Sequence, residues 1–291
     1  MILRSLNNRV PALCLSLMLV PCVGAAQTAA APAPQATANA QQPAKAAPEP
    51  DYPDPRSLQI GLFYWQTVPG VGPDIRGGVA ATGYSSIYGL GKDKPAEGAV
   101  ITYPVTRTGT LGIEAFVDKG TGNQFAPKDT TIFGNSFVKN DSLSTQYQIT
   151  TAKLYLDDLL YPHKFPVSKL RFKSLWAVRY LKAQATVDAP LSNSTTGTTG
   201  TGNRQLVLPE FGAAMEYALA KHVLFRVEAS GFGIPKKSYI WDGAATVSYR
   251  RGQVTVEGGF KGLGFKTSPA KDEYIPFQIY GGFVGVRYNW K

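Results

Sequence analysis

The stretch Ile279-Tyr-Gly-Gly-Phe-Val-Gly-Val-Arg-Tyr-Asn-Trp290 decides the fold. Its side chains alternate between two faces. Tyr280, Gly282, Val284, Val286, Tyr288 and Trp290 share one; Gly281, Gly285, Arg287 and Asn289 share the other. A period of two is a β-strand, and an apolar face ending in aromatics suits a strand laid against lipid.

Working outward, residues 57–291 predict ten strands, near 57–66, 98–106, 109–118, 145–157, 169–184, 205–219, 222–232, 238–250, 253–265 and 277–290. Residues 152–160 read alternatively as a short helix. Tight turns fall at Arg107-Thr108, Ala220-Lys221 and Arg251-Gly252, whereas 67–97, 119–144 and 185–204 are long joints. The joints containing Pro235 and Pro269 are shorter, and 158–168, with Pro162 and Pro166, is a moderate exception among the turns. Short and long joints alternate, as in barrels with short turns at one end and loops at the other. The fold class is therefore all-β, a closed antiparallel transmembrane β-barrel of about ten strands. An even strand number puts both termini at one end, expected to be periplasmic.

Aromatic placement separates a barrel in lipid from a soluble sandwich, which also alternates. Tyr217, Tyr249, Tyr288 and Trp290 fall at the predicted periplasmic ends; Tyr64, Trp65, Tyr239 and Trp241 fall at the predicted outer ends. Two aromatic girdles are expected only of the barrel. The run 191–203, Leu-Ser-Asn-Ser-Thr-Thr-Gly-Thr-Thr-Gly-Thr-Gly-Asn, is low in complexity and predicts a mobile surface loop.

The N-terminus reads as an export signal, residues 1–26. Arg4 and Arg9 form a basic region, Ala12 to Val20 an apolar core too short to span a bilayer, and Gly24-Ala25-Ala26 a small-residue cleavage site. Lipidation at Cys22 is the alternative, disfavoured by Pro21 where a small residue is expected. Residues 27–56, rich in Ala, Pro and Gln, predict a disordered periplasmic tail. Both cysteines, Cys14 and Cys22, fall in the signal, so the mature chain has no disulfide framework and no thiolate site. The formal charge is +10, and +8 once Arg4 and Arg9 are removed, 28 basic against 20 acidic residues. Export argues against nucleic acid as the partner. Outer-membrane lipid and anionic lipopolysaccharide are the expected ones, with a merely solvated surface excess as the alternative.

The motif Phe283-x-Gly285-x-x-Tyr288-x-Trp290 resembles the C-terminal signal that bacterial outer-membrane barrels present to their assembly machinery, with one departure: Lys291 follows the terminal aromatic. Residues 57–291 as a whole resemble small bacterial outer-membrane β-barrel proteins, of roughly eight to twelve strands. The resemblance implies residence in the outer membrane. Such families include structural barrels, narrow channels, lipid-modifying enzymes and surface proteases, and the fold does not choose among them.

Barrel enzymes of this architecture place a His beside a Ser or an acid near the outer leaflet. His163 and His222 both fall in predicted periplasmic joints, out of reach of such a substrate, so no catalytic residue is assigned. No cofactor is expected, nor a His-based metal site. The predicted lumen carries both signs of charge: Glu114, Lys153, Lys173, Arg179, Glu210, Glu216, Arg226, Glu228, Asp242, Arg250, Glu257, Lys261 and Arg287. In a narrow barrel such charges can pair and fill the interior, with Arg226, Glu228, Glu257 and Arg287 expected at the centre. The expected function is that of a monomeric, non-enzymatic barrel with a charge-plugged lumen and a structural or surface-interaction role. A narrow channel for small polar solutes, gated by 67–97, is the alternative, and an outer-membrane enzyme the third.

Overall fold

Ten long strands close on themselves. They are β1 (Leu58–Thr67), β2 (Ala96–Pro104), β3 (Gly109–Phe125), β4 (Ser142–Tyr161), β5 (Leu170–Ala189), β6 (Thr198–Ala220), β7 (Val223–Ile234), β8 (Ser238–Arg251), β9 (Val254–Lys266) and β10 (Pro276–Trp290). The computed structural model describes residues 57–67, 76–77, 85–86, 92–93, 95–106, 108–126, 128–161, 169–190, 198–235, 238–266, 273–274 and 276–290. These belong to one compact unit, Ala46–Lys291. The predicted signal and the whole of the predicted tail, like His163 and most of 67–97, lie outside the described residues.

Each strand pairs antiparallel with its neighbours in sequence, and β1 pairs with β10 to close the barrel, Leu58 opposite Trp290 and Tyr64 opposite Val284. Both ends of the barrel segment therefore lie at one end of the cylinder. The short turns share that end: Val105 to Thr108, Lys221-His222 and Gly252-Gln253. Two of them sit one residue beyond the predicted positions. Residues 152–160 are strand, not helix.

The strands β3 to β6 outrun their predicted lengths, and their side chains explain why. On β5, Phe172, Trp176, Val178 and Tyr180 face out and are 41, 56, 48 and 36 % exposed. That span of nine residues matches a tilted strand crossing a bilayer. Beyond Tyr180 the outward residues become Lys182, Gln184, Thr186 and Asp188, while the inward ones become Leu181, Ala183, Ala185, Val187 and Ala189, all buried. β4 changes in the same way: Leu154, Leu156 and Leu160 face out in the belt, then Gln146 and Gln148, with Leu143, Tyr147 and Ile149 turned inward. The four strands thus rise roughly 25 Å past the apolar belt, at 3.3 Å per residue. β6 keeps pairing with β5 up to Thr198, but its last partner on β7 is Gly231, opposite Phe211.

The Thr/Gly run is a second departure from the sequence reading. Residues 198–203 are not a mobile loop but the end of β6. Gly200 and Gly202 point inward, where the hairpin Thr130–Ile132 and Asn135–Phe137 packs on them. A Cβ on Gly202 would lie 2.2 Å from the Phe133 ring, so only glycine fits beneath it. Trp65 departs as well. It is fully buried and stacks edge-on with Phe116, centroids 5.3 Å apart, so it belongs to the interior rather than the girdle. Tyr64, Tyr239 and Trp241 do face outward at that end, as do Tyr217, Tyr249, Tyr288 and Trp290 at the other.

Candidate functional site: the barrel lumen

The lumen has three levels. Furthest from the short turns is an apolar plug of Trp65, Phe116, Tyr147, Ile149, Leu181, Ile240, Leu263, Phe265 and Ile279, all buried. Strand parity aims these side chains inward from seven strands, where they form one buried apolar cluster.

Below the plug lies a dry ionic cluster. Arg179, 1 % exposed, donates Nε to Glu210 and Nη2 to Asp242. Lys153 Nζ stands 3.1 Å from Asp242 Oδ1 and 3.5 Å from Glu210 Oε2. Ser230 Oγ lies 3.1 Å from Glu210 Oε2 and 2.9 Å from Asp242 Oδ1, which adds polar partners for the carboxylates. At the seam with the plug, the Lys261 ammonium pairs with Glu114 and sits 5.1, 5.8 and 5.7 Å from the ring centroids of Phe63, Trp65 and Phe116. Rings present their negative faces to such a cation.

The third level is nearer the short turns and wetter. Arg226 Nη1 reaches Asp157 at 3.0 Å and Glu216 at 2.7 Å, and its Nε reaches Glu228 at 2.7 Å. Arg171 and Lys173 bind Glu216 at 2.6 and 3.2 Å, and Lys173 also meets Asp157 at 3.3 Å. Arg287 Nε lies 2.9 Å from Glu257. Here the side chains of Arg226, Glu228 and Arg287 keep 22, 26 and 27 % of their exposure. They border a cavity of about 290 Å³ that extends to Thr106, His222 and Arg250 at the short turns. Tyr155, inside this cavity, covers Gly112 on β3, where a Cβ would meet the ring at 2.3 Å.

Of the thirteen charged residues read as inward from sequence, twelve stand in these contacts. Arg250 lines the cavity but joins none of the ion pairs described here. The centre, however, is Arg179 with Glu210 and Asp242, not Arg226 with Glu228, Glu257 and Arg287, of which all but the buried Glu257 are more exposed. Asp157 and Arg171 were not singled out. Both were legible by parity, since Asp157 shares a face with Lys153, and Arg171 with Lys173. Within the ion-paired set, Lys153, Arg171, Lys173, Arg179, Arg226, Lys261 and Arg287 face Glu114, Asp157, Glu210, Glu216, Glu228, Asp242 and Glu257, so seven cations meet seven carboxylates. The network is neutral, and the basic excess of the chain lies elsewhere.

His222 sits in the β6–β7 turn, its ring 6.3 Å from that of Tyr249. Among the described residues, no group of three or more His, Cys, Asp or Glu side chains is placed to hold a metal ion. Phe283 turns inward and half-buried, while Tyr288 and Trp290 face outward with rings 6.0 Å apart. Gly285 faces inward beside Glu257.

No protein-family pattern matches the sequence, and no curated protein matches it. Among solved structures, the chain is similar to the outer membrane protease OmpT from Escherichia coli, with TM-score 0.53 and 12 % identity over 82 % of this chain and 98 % of that one. A deletion mutant of the monoaromatic hydrocarbon channel TodX superposes at TM-score 0.33 and 11 % identity, over 82 % of this chain and 91 % of that one. The toluene transporter TbuX of Ralstonia pickettii does so at 0.33 and 10 %, over 81 % and 90 %. At such identities the similarity to OmpT speaks for the fold, a bacterial outer-membrane β-barrel, and for nothing finer.

Proposed function

We propose that this protein is an integral barrel of the bacterial outer membrane whose lumen is closed, and that it serves a structural or surface-interaction role. The observation that carries the reading is the stacking of two seals. A neutral ionic cluster built on Arg179 lies directly beneath an apolar plug built on Trp65 and Phe116. A conducting pore needs a continuous polar path with sites weak enough to leave. The outward belt of aliphatic and aromatic side chains supports residence in lipid.

In this reading the short-turn end, with both barrel termini, faces the periplasm. Phe283, Gly285, Tyr288 and Trp290 present the assembly signal to the barrel assembly machinery, and the protein works as a monomer. The extension of β3 to β6 stands outside the cell. Lys119 and Lys182 flank the belt just beyond Val117 and Tyr180, at the height where anionic lipopolysaccharide head groups would meet them. The test is single-channel recording of refolded protein in planar bilayers. No steady conductance is expected. A large, stable conductance would overturn the reading in favour of a narrow channel for small polar solutes, which the partly hydrated Arg226, Glu228 and Arg287 favour.

A further inference from the structure

We infer that the cavity at the short-turn end is a blind binding site for a small water-soluble oxyanion, a phosphate or a carboxylate, held by Arg250 and Lys221. Its cationic lining is Lys153, Arg171, Lys173, Arg226, Lys261 and Arg287, joined by Lys221 and Arg250. The first six spend their charge on carboxylates within the lumen. The last two have no carboxylate partner among the described residues. Arg250 gives only its Nε, to the carbonyl of Gly252 at 3.2 Å. Its Nη1 is shut off from solvent and meets no acceptor among the described residues. A buried guanidinium donor left unpaired is costly, and the group that would satisfy it is an anionic oxygen.

Arg250 and Lys221 both line the short-turn end of the cavity. The Arg250 amide donates to the carbonyl of His222 at 2.9 Å, which fastens the start of β7's turn, with Lys221, to the end of β8. Thr255 lines the same cavity; its Oγ1 accepts from Asn289 Nδ2 at 3.4 Å and keeps its hydrogen for an anion. A volume of about 290 Å³ sits at the lower edge of the range for small-molecule sites. The ionic cluster above closes the far side, so the anion enters and leaves by one mouth. Anion binding by Arg250 does not depend on the lumen being sealed; only the single mouth does. In a conducting barrel the same residues would make the pore anion-selective.

The experiment is calorimetric titration of detergent-refolded, full-length protein with inorganic phosphate and, separately, succinate, folding being verified by heat-modifiable migration. Saturable one-to-one binding is expected. Arg250→Gln should weaken it about tenfold, the loss of one charge-assisted hydrogen bond. Arg250→Lys should fall between, and Lys139→Gln, exposed at the opposite end of the barrel, should leave it unchanged. Absence of saturable binding, or binding that Arg250→Gln leaves intact, overturns the site. Conductance measured in parallel reports on the seal alone, so the two readings fail separately.

Discussion

The lower and upper halves of β5 are built on the same alternation with the sign reversed. Between Phe172 and Tyr180 the outward face is apolar apart from Ser174, and the inward face carries Lys173 and Arg179. Between Leu181 and Ala189 the inward face is apolar and the outward face carries Lys182, Gln184 and Asp188. Period two fixes which residues share a face, and the surroundings decide which face is greasy. Lipid outside asks for one assignment and water outside for the other. The inversion, not the strand itself, marks where the membrane stops, and β4 inverts at the matching height, Thr150 lying opposite Lys182.

The comparison is tested most severely inside the lower half. Arg179→Met would leave Glu210 and Asp242 buried with only Lys153 between them. The expected loss is about 3–5 kcal/mol of folding stability, measured by denaturant unfolding in lipid or detergent. Arg226→Ala, in the hydrated level, should cost clearly less, about 1–3 kcal/mol. Equal costs would mean that the lumen is uniformly wet or uniformly dry, and would erase the distinction between its levels.

In the upper half the same strand should answer to cavities rather than to charges. Leu181→Ala removes a side chain that is 1 % exposed and should cost about 2–5 kcal/mol. On the outward face the two halves separate cleanly. Val178→Arg puts a cation into the belt and should cost up to about 2–4 kcal/mol of folding into bilayers. Gln184→Arg, on the same face but past the inversion, should stay within about 0.5 kcal/mol. If Gln184→Arg were as damaging as Val178→Arg, the extension would lie in lipid.

Assembly gives a smaller test, read as yield rather than stability. Replacing Tyr288 and Trp290 together with Ala should lower the folded fraction in cells. It should change the unfolding of the purified barrel little, because both rings lie on the outward face. Unchanged yield would show that this strand is not what the assembly machinery reads.

How much of this was legible depends on which solvent a residue meets. The ten strands could be read because belt residues such as Val284, Val286 and Tyr288 repeat at period two between tight turns. The extension could not, because an inward Gly200 and Gly202 flanked by outward Thr199, Thr201 and Asn203 has the composition of a loop. Pairing with β5 makes it a strand, and the hairpin packs on those glycines. Trp65 was misplaced by its neighbour. Tyr64 faces out, so an adjacent residue in a strand must face in, and parity should have outweighed composition. In the lumen, charges in mid-strand were legible, whereas Asp157 and Arg171 stood next to strand boundaries, where pattern reading is weakest.

A small net effect from two opposed terms is expected at the tip of the hairpin that covers the upper half. Phe133 and Gly134 link paired Ile132 and Asn135, and both have positive φ, 50° and 78°. A two-residue turn of this kind favours Asn before Gly, and a bulky residue there costs about 1–2 kcal/mol of backbone strain. Phe133 keeps that strained position because its ring rests on Gly202 and packs against the buried core. Burying such a ring contributes up to about 1.5–3 kcal/mol. Phe133→Asn trades the second term for relief of the first, and a net loss of about 1 kcal/mol is expected from thermal or denaturant unfolding. Gly202→Ala should act on the packing term alone, since its Cβ would collide with the ring, and should loosen the hairpin to proteolysis without touching the turn. If Phe133→Asn proved stabilising, the ring would not be sealing the upper half, and the apolar face of the extension would have to be covered by something else.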